Sequence, residues 1–205
     1  VPADEARVSV ADAGFLHGAS TFSTMYAHNG RVFRLSRHLQ RMMDTVTLLG
    51  FRTDQSPETL IPAVREVVRT NGLFEARVRA TLTPGSARTG EPTTLVTAEP
   101  LPDYPAEWYS RGVTVVVSSF KQIAGDPTHG YKTGCYLPRV MARQEAQAKG
   151  AEEGLWYTTD NRLAEACFCN VFLIIGGVVR TPPRDTPVLP GVVREAVLEL
   201  CRQGD

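Results

Sequence analysis

Lys132 lies in the stretch His129-Gly130-Tyr131-Lys132-Thr133-Gly134-Cys135-Tyr136-Leu137-Pro138, a single lysine between two tyrosines in a glycine-flanked loop. Further along, Glu165 falls in Arg162-Leu163-Ala164-Glu165-Ala166-Cys167-Phe168-Cys169-Asn170-Val171-Phe172, and a Pro-Gly turn opens a helix at Leu189-Pro190-Gly191-Val192-Val193-Arg194. A lysine, a carboxylate and a glycine-opened helix start are the parts that chemistry on pyridoxal phosphate needs. The amine makes an imine with the aldehyde, the carboxylate holds the proton on the pyridine nitrogen, and the helix N-terminus takes the phosphate. Residue type alone leaves a plainer reading open. An isolated lysine is ordinarily solvated because its charge is expensive to bury, and Glu165 fits a capping or surface carboxylate as well as a buried one. Its place just before the apolar run 171–175 draws it inward.

The elements that must position these groups need a core, and 205 residues with 42% apolar side chains can build one, as one large domain or two small ones. Lys+Arg and Asp+Glu are equal at 22 each, so no long-range field gathers nucleic acid or an anionic membrane, and any anion site is local. The apolar runs 113–117 and 171–175 fall far short of the ~20 residues that cross a bilayer. The N-terminus lacks the order of a secretion signal. Four cysteines, Cys135, Cys167, Cys169 and Cys201, fall in no zinc spacing, which predicts reduced thiols in a cytoplasmic protein and no metal site. The Cys167/Cys169 pair is expected on a strand. The chain starts without Met and ends at Gln203-Gly204-Asp205 just past a helix, which suggests part of a longer product.

In order, His28-Asn29-Gly30-Arg31 signals a hairpin. Apolar positions Leu39, Met42, Met43, Val46 and Leu49 predict a helix from Ser36 to Gly50. Ser56-Pro57-Glu58 opens a second helix that stops at Asn71-Gly72. Period-two alternation predicts a strand over 76–82 with Arg77, Arg79 and Thr81 on one face. Another strand spans 93–99, and the proline-rich segment 100–109 reads as a linker. Then follow a strand over 113–117, a loop over 121–130, a helix over 137–149, strands over 154–157 and 171–175, a Gly176-Gly177 turn, a proline-rich loop over 180–188 and a last helix over about 191–201.

In this order and combination the segments resemble the class IV aminotransferases, the fold-type IV pyridoxal-phosphate enzymes. That family includes branched-chain and D-amino-acid aminotransferases, R-selective amine transaminases and aminodeoxychorismate lyase. The resemblance begins near Asp12-Ala13-Gly14-Phe15-Leu16-His17-Gly18 and runs to the final residues. It implies an α/β (α+β) fold with a small α/β domain over 1–100, a linker over 101–110, and a larger, β-barrel-like cofactor domain over 111–205 that is incomplete at its C-terminal end.

For the site, the resemblance implies that Lys132 forms the Schiff base and Glu165 holds the ring nitrogen. Arg41, in the His-Leu-x-Arg signature, grips the phosphate, a task suited to a permanently charged donor fork. The resemblance leaves His38 a structural role. Gly191 and the N–H groups of Val192 and Val193 complete the phosphate site, with Val193 where relatives often carry threonine. Tyr136 resembles a tyrosine at the cofactor's phenolic oxygen, one residue closer to the lysine here, and Asn170 is a structural side chain near the cofactor. His17, Phe22, Tyr26 and Arg79 fall on the substrate side. Phe22-Ser23 replaces the Phe-Glu of many relatives, and Tyr26 falls at or next to an arginine that receives the distal carboxylate of 2-oxoglutarate in branched-chain enzymes. The implied activity is transfer from a small amino acid or amine to a 2-oxo acid by a homodimer. The rivals are a lyase that releases pyruvate and a non-catalytic cofactor-binding or scaffold protein.

Overall fold

The computed structural model describes residues 1–86 and 88–203; Gly204 and Asp205, at the chain end noted above, lie outside the described residues. The chain divides into two compact units, Val1–Asp103 with Lys132–Cys135, and Tyr104–Tyr131 with Tyr136–Asp205.

In the first unit, strands β1 (Thr21–His28), β2 (Arg31–Val32), β3 (Ala76–Thr83) and β4 (Thr93–Pro100) form an antiparallel sheet in the order β2-β1-β3-β4. Asn29 and Gly30 both take positive φ, 49° and 69°, the two left-handed positions that turn β1 tightly into β2. Helix α2 (Leu35–Leu48) begins one residue before the expected Ser36, because Arg34 breaks the chain with φ 47° and ψ 40° and caps nothing with its side chain. Helix α3 (Pro57–Thr70) begins as read, with a Ser56–Thr59 capping box and proline in the first turn.

The period-two reading of β3 holds. Ala76, Val78, Ala80 and Leu82 are buried, while Arg77 is exposed and Arg79 half-buried. The buried face meets Leu39 and Met42 of α2 and Leu60, Val64 and Val68 of α3 in one core. Cross-strand register puts Phe22 opposite Thr81 and Thr24 opposite Arg79, so the far face of the sheet carries the arginines. The pattern reading missed a short helix, α1 (Ala13–His17), which is too brief for any periodicity and is set by its N-cap, Asp12.

The second unit contains α4 (Ala106–Arg111), β5 (Val115–Gln122), α5 (Leu137–Ala148), β6 (Glu153–Thr158), β7 (Leu163–Ala166), β8 (Leu173–Ile175), β9 (Val178–Arg180) and α6 (Val192–Gln203). Among the described residues its strands form a sheet β5-β6-β7 and a separate β8-β9 ladder. β5 and β6 run parallel, and α5 supplies the crossover that parallel neighbours require. β6 and β7 are antiparallel. Gly176 and Gly177, at φ 59° and 78°, make the expected turn between β8 and β9.

Three expectations need correction. The strand expected over 113–117 starts later and runs to Gln122, through residues read as loop. Its inward positions there are Ser118 and Gln122, so burial follows polar side chains that an apolar count does not register. Glu165 is not an appendage of the run 171–175; it sits on its own strand, β7, paired with β6. Cys167 and Cys169 lie past the end of β7 in a turn closed by a bond from Ala166 N to Cys169 O, not on a strand.

Candidate functional site

Lys132 packs with the first unit, held through its main chain. Its carbonyl accepts from Phe22 N at 3.0 Å and from Thr21 Oγ1 at 3.1 Å. Thr133 bridges Thr21, and Gly134 N donates to Ser20 O at 2.8 Å, so residues 132–134 run as a short extension beside the start of β1. Gly134 is required there, since a Cβ would stand 2.1 Å from Ser20 Oγ. The side-chain amine of Lys132 lies 4.7 Å from the Phe22 ring centroid, and the guanidinium of Arg79 lies 3.6 Å from the same centroid. Phe22 is 4% exposed, and a desolvated ring face is an attractive seat for a cation.

Ser23, the next residue of β1, points to the opposite face and meets α2. Arg41 Nη2 donates to Ser23 Oγ at 3.1 Å, and Ser23 Oγ lies 3.0 Å from His38 Nδ1. Arginine only donates, so Ser23 accepts from Arg41 and turns its own proton to an unprotonated Nδ1. Burial first, then the charges of Arg41 and Lys132, push His38 down to about 4, which keeps it the neutral acceptor this chain of bonds needs.

The remaining substrate-side candidates of this unit are placed differently. Tyr26 is 41% exposed and donates its hydroxyl to Glu75, which also pairs with His28 at 2.6 Å. The bond to Glu75, then desolvation, raises the Tyr26 hydroxyl above its ordinary value. His17 ends α1 and is exposed. Asp12 went unassigned in the sequence although it opens the resemblance. It is fully buried and accepts from Gly14 N at 2.7 Å, Thr83 Oγ1 at 2.8 Å and Thr93 Oγ1 at 2.6 Å. Burial alone would raise its carboxyl, but the bonds from Thr93, Thr83, Gly14 and Phe15 outweigh it and hold the group below its ordinary value. Asp12 thus caps α1 and ties the ends of β3 and β4 together. The signal for it in the sequence was an aspartate two residues before a glycine.

In the second unit Glu165 is 3% exposed and entirely surrounded by donors. Oε1 accepts from Arg139 Nη2 and from Gln122 Nε2 at 3.0 Å; Oε2 accepts from Leu189 N at 3.0 Å and has a longer contact, 3.4 Å, with Asn170 Nδ2. Asn170 makes its shorter bond to Leu189 O at 2.9 Å, so its amide fixes the loop that opens α6. Gly191 passes against that amide: a Cβ there would stand 2.0 Å from Asn170 Oδ1. The backbone N–H groups of Val192 and Val193 head α6, where helix-terminal donors are left for an anion. Tyr136 precedes α5, its ring 5.8 Å from that of Phe168, and Arg139 lies 5.7 Å from it.

Lys132, Phe22 and Arg79 therefore come together in one unit, with Arg41 on Ser23; Glu165, Asn170 and the 191–193 helix start come together in the other. Gln122 and Arg139 were missed by sequence reasoning, Gln122 because it was read as loop and Arg139 because it looks like one more cation on an amphipathic helix. Taken unit by unit, a buried acceptor carboxylate beside a helix start closely packed at Gly191, and separately an amine on an aromatic face with an oriented arginine, are each groups of a kind that pyridoxal phosphate takes. Among the described residues no cluster of His, Cys, Asp and Glu could hold a metal, and no helix is long and apolar enough to cross a membrane.

The chain matches the family described as amino-transferase class IV over residues 20–204. It is 28% identical over 214 residues to the branched-chain-amino-acid aminotransferase of Escherichia coli, covering 98% of this chain and 69% of that protein. Among solved structures, the branched-chain amino acid aminotransferase of T.th. with pyridoxamine 5'-phosphate superposes with a TM-score of 0.92 at 26% identity, covering 99% of this chain and 71% of that one. The branched-chain aminotransferase of Thermoproteus uzoniensis with norvaline gives 0.90 at 27%, covering 99% and 72%. With the family match and the fold in agreement, the chain belongs to the class IV aminotransferases.

Proposed function

We propose that this protein is a pyridoxal 5'-phosphate-dependent aminotransferase that moves an amino group from a small amino acid or amine to a 2-oxo acid. The observation that carries the reading is Lys132: a lysine whose main chain is pinned to β1, inside the span that matches the class IV family. The bound cofactor supplies the carbonyl that receives the amino group and a ring that accepts the electron pair of the broken bond. Lys132 would hold it through Nζ and would carry a proton at that nitrogen. Glu165 holds the proton on the ring nitrogen. Arg41 and the N–H groups of Val192 and Val193 bind the phosphate, with Gly191 opening the helix start and Asn170 fixing the approach. Tyr136 contacts the phenolic oxygen. Arg79 receives the substrate carboxylate, and Phe22, His17 and Tyr26 border the substrate.

The named relatives act on branched-chain amino acids, which supports a small aliphatic donor. Tyr26, hydrogen-bonded to Glu75, offers no cation to a distal carboxylate, so pyruvate should serve as acceptor better than 2-oxoglutarate. The cofactor domain over 111–205, the homodimer and the cytoplasmic location belong to the same proposal.

The test is the absorbance spectrum of the protein with added pyridoxal phosphate before and after borohydride, with Lys132→Ala alongside, then a screen of donors against both acceptors. A band fixed by borohydride onto Lys132, and turnover that needs an acceptor, support the reading. Pyruvate release with no acceptor would mark elimination instead, and full activity in Lys132→Ala would overturn both. Mass measurement in solution tests the dimer.

A further inference from the structure

Glu165 has four donors, as many as the two oxygens of a carboxylate accept, and they are not equivalent. Arg139 is the one that joins it to the main chain. Nη1 of Arg139 donates to Ala166 O at 3.2 Å and to Cys167 O at 2.9 Å, while Nη2 donates to Glu165 Oε1. One planar fork therefore grips the carboxylate and the two carbonyls that follow it in sequence, a geometry that a point charge on a flexible stem cannot reproduce. Gln122 Nε2 donates to the same oxygen at 3.0 Å, and its amide is fully buried. Its own Oε1 has no partner, so the amide is not turned to satisfy itself; its orientation follows the carboxylate. Oε2 is different. It has one good bond, from Leu189 N, and one long contact to Asn170, whose amide is better used on Leu189 O.

We propose that Arg139 is the positioning residue of Glu165: by fixing Oε1 to the main chain after β7, it leaves Oε2 as the oxygen offered to the ring nitrogen of the cofactor. The inference rests on the reading of Glu165 as that nitrogen's partner. A protonated ring nitrogen arriving at Oε2 displaces only the long Asn170 contact, and every short bond survives. Arrival at Oε1 would break a charge-assisted bond or the bond from a buried amide, either of which is costly to leave unmade. Arg139 does not touch the ring in this account; it acts through the carboxylate.

The test compares equilibrium binding of pyridoxal 5'-phosphate with that of its analogue in which the ring nitrogen is replaced by C–H. A charged hydrogen bond at the nitrogen makes the wild-type protein prefer the natural compound by about tenfold or more. In Arg139→Met that preference falls toward unity, while the C–H analogue binds nearly as before. Arg139→Lys keeps the charge but loses the fork, and the preference falls there too; if the Met variant does not fold, Lys carries the test. Equal losses for both compounds, with the ratio kept, would show Arg139 to be merely structural and overturn the inference. A ratio that rises in Arg139→Met, or that Arg139→Lys leaves intact, would show a charge effect on the carboxylate and overturn it as well. No preference in the wild-type protein would remove the premise about Glu165 and the inference with it, a failure visible before any variant is made.

Discussion

The two units anchor their reactive groups in opposite ways. In the first, the bonds that place Lys132 are made by its carbonyl, to Phe22 N and Thr21 Oγ1, and the amine rests against a ring. In the second, the bonds that place Glu165 are made by the carboxylate itself, to four donors. A nucleophile that must let go of its partner and return needs a fixed root. A carboxylate that must hold one proton in place needs a fixed tip. The sharpest way to break this comparison is Lys132→Ala. It should abolish transfer, by on the order of 10³-fold or more, yet leave stability within about 1 kcal/mol because the anchoring bonds are main chain. Steady-state rates and urea midpoints on the same preparation check both halves. A collapse in stability would mean the side chain, not the backbone, holds this segment.

Glu165→Ala should cost stability as well as transfer. It leaves the fully buried Gln122 amide without its acceptor and the Arg139 guanidinium without its counter-charge, a loss of about 3 kcal/mol or more. Urea unfolding should show it without any cofactor present. If Glu165→Ala is no less stable than Lys132→Ala, the two anchors do not differ as described.

The third test separates the units by pH. His38 is held near 4 in the folded protein against an ordinary 6.5. Between those values the unfolded chain binds more protons at this residue than the folded one, so the His38 contribution to stability falls as pH drops from 6.5 towards 4 and does not change further below that window. The shift corresponds to about 3 kcal/mol at most. His38→Gln should flatten this slope, measured as urea midpoints from neutral pH down to the lower edge of the window. Asp12, held below 3.8, contributes a separate loss that starts only below that value. An unchanged slope in His38→Gln would mean that the Ser23 bond does not require a neutral ring.

How much of this was legible in the sequence depends on whether a residue is patterned by burial, restricted by chemistry or defined only by distant neighbours. The first unit's elements are patterned by apolar side chains, and β1, β3, α2 and α3 were readable from Asn29-Gly30, from alternation in 76–82 and from the helical spacing around Leu39 and Met42. Both units also bury polar residues, Asp12, Ser23 and His38 in the first and others on the strands of the second. Ser118 and Gln122 on β5 and Glu165 on β7 are buried, and no hydrophobic pattern marks them. Lys132, Glu165 and the 191–193 helix start were visible because chemistry restricts residue type. Arg139, Gln122 and Asp12 were not, because what they do depends on neighbours distant in sequence. Arg139 and Glu165 are brought together by a helix crossover, and Asp12 meets Thr83 and Thr93 only once the β3–β4 hairpin has closed.

The smallest expected effect is the most discriminating. Gln122 is fully buried and bonded to a carboxylate, which by those facts alone predicts a severe loss on substitution. Its other amide atom, Oε1, is buried with no partner and therefore already costs stability. Gln122→Met keeps the length of the side chain and removes both atoms. The bond to a charged acceptor is worth about 1.5–3 kcal/mol and the orphaned acceptor costs about 1–3 kcal/mol, so the two nearly cancel and the variant should lie within about 1 kcal/mol of wild type. The Arg139 fork still fixes Oε1 in that variant, so the preference for the cofactor over its C–H analogue should persist. A large loss in urea midpoint would show that Gln122, not Arg139, is the principal support of Glu165, and that the carboxylate is held by the sheet itself and not by the helix that crosses it.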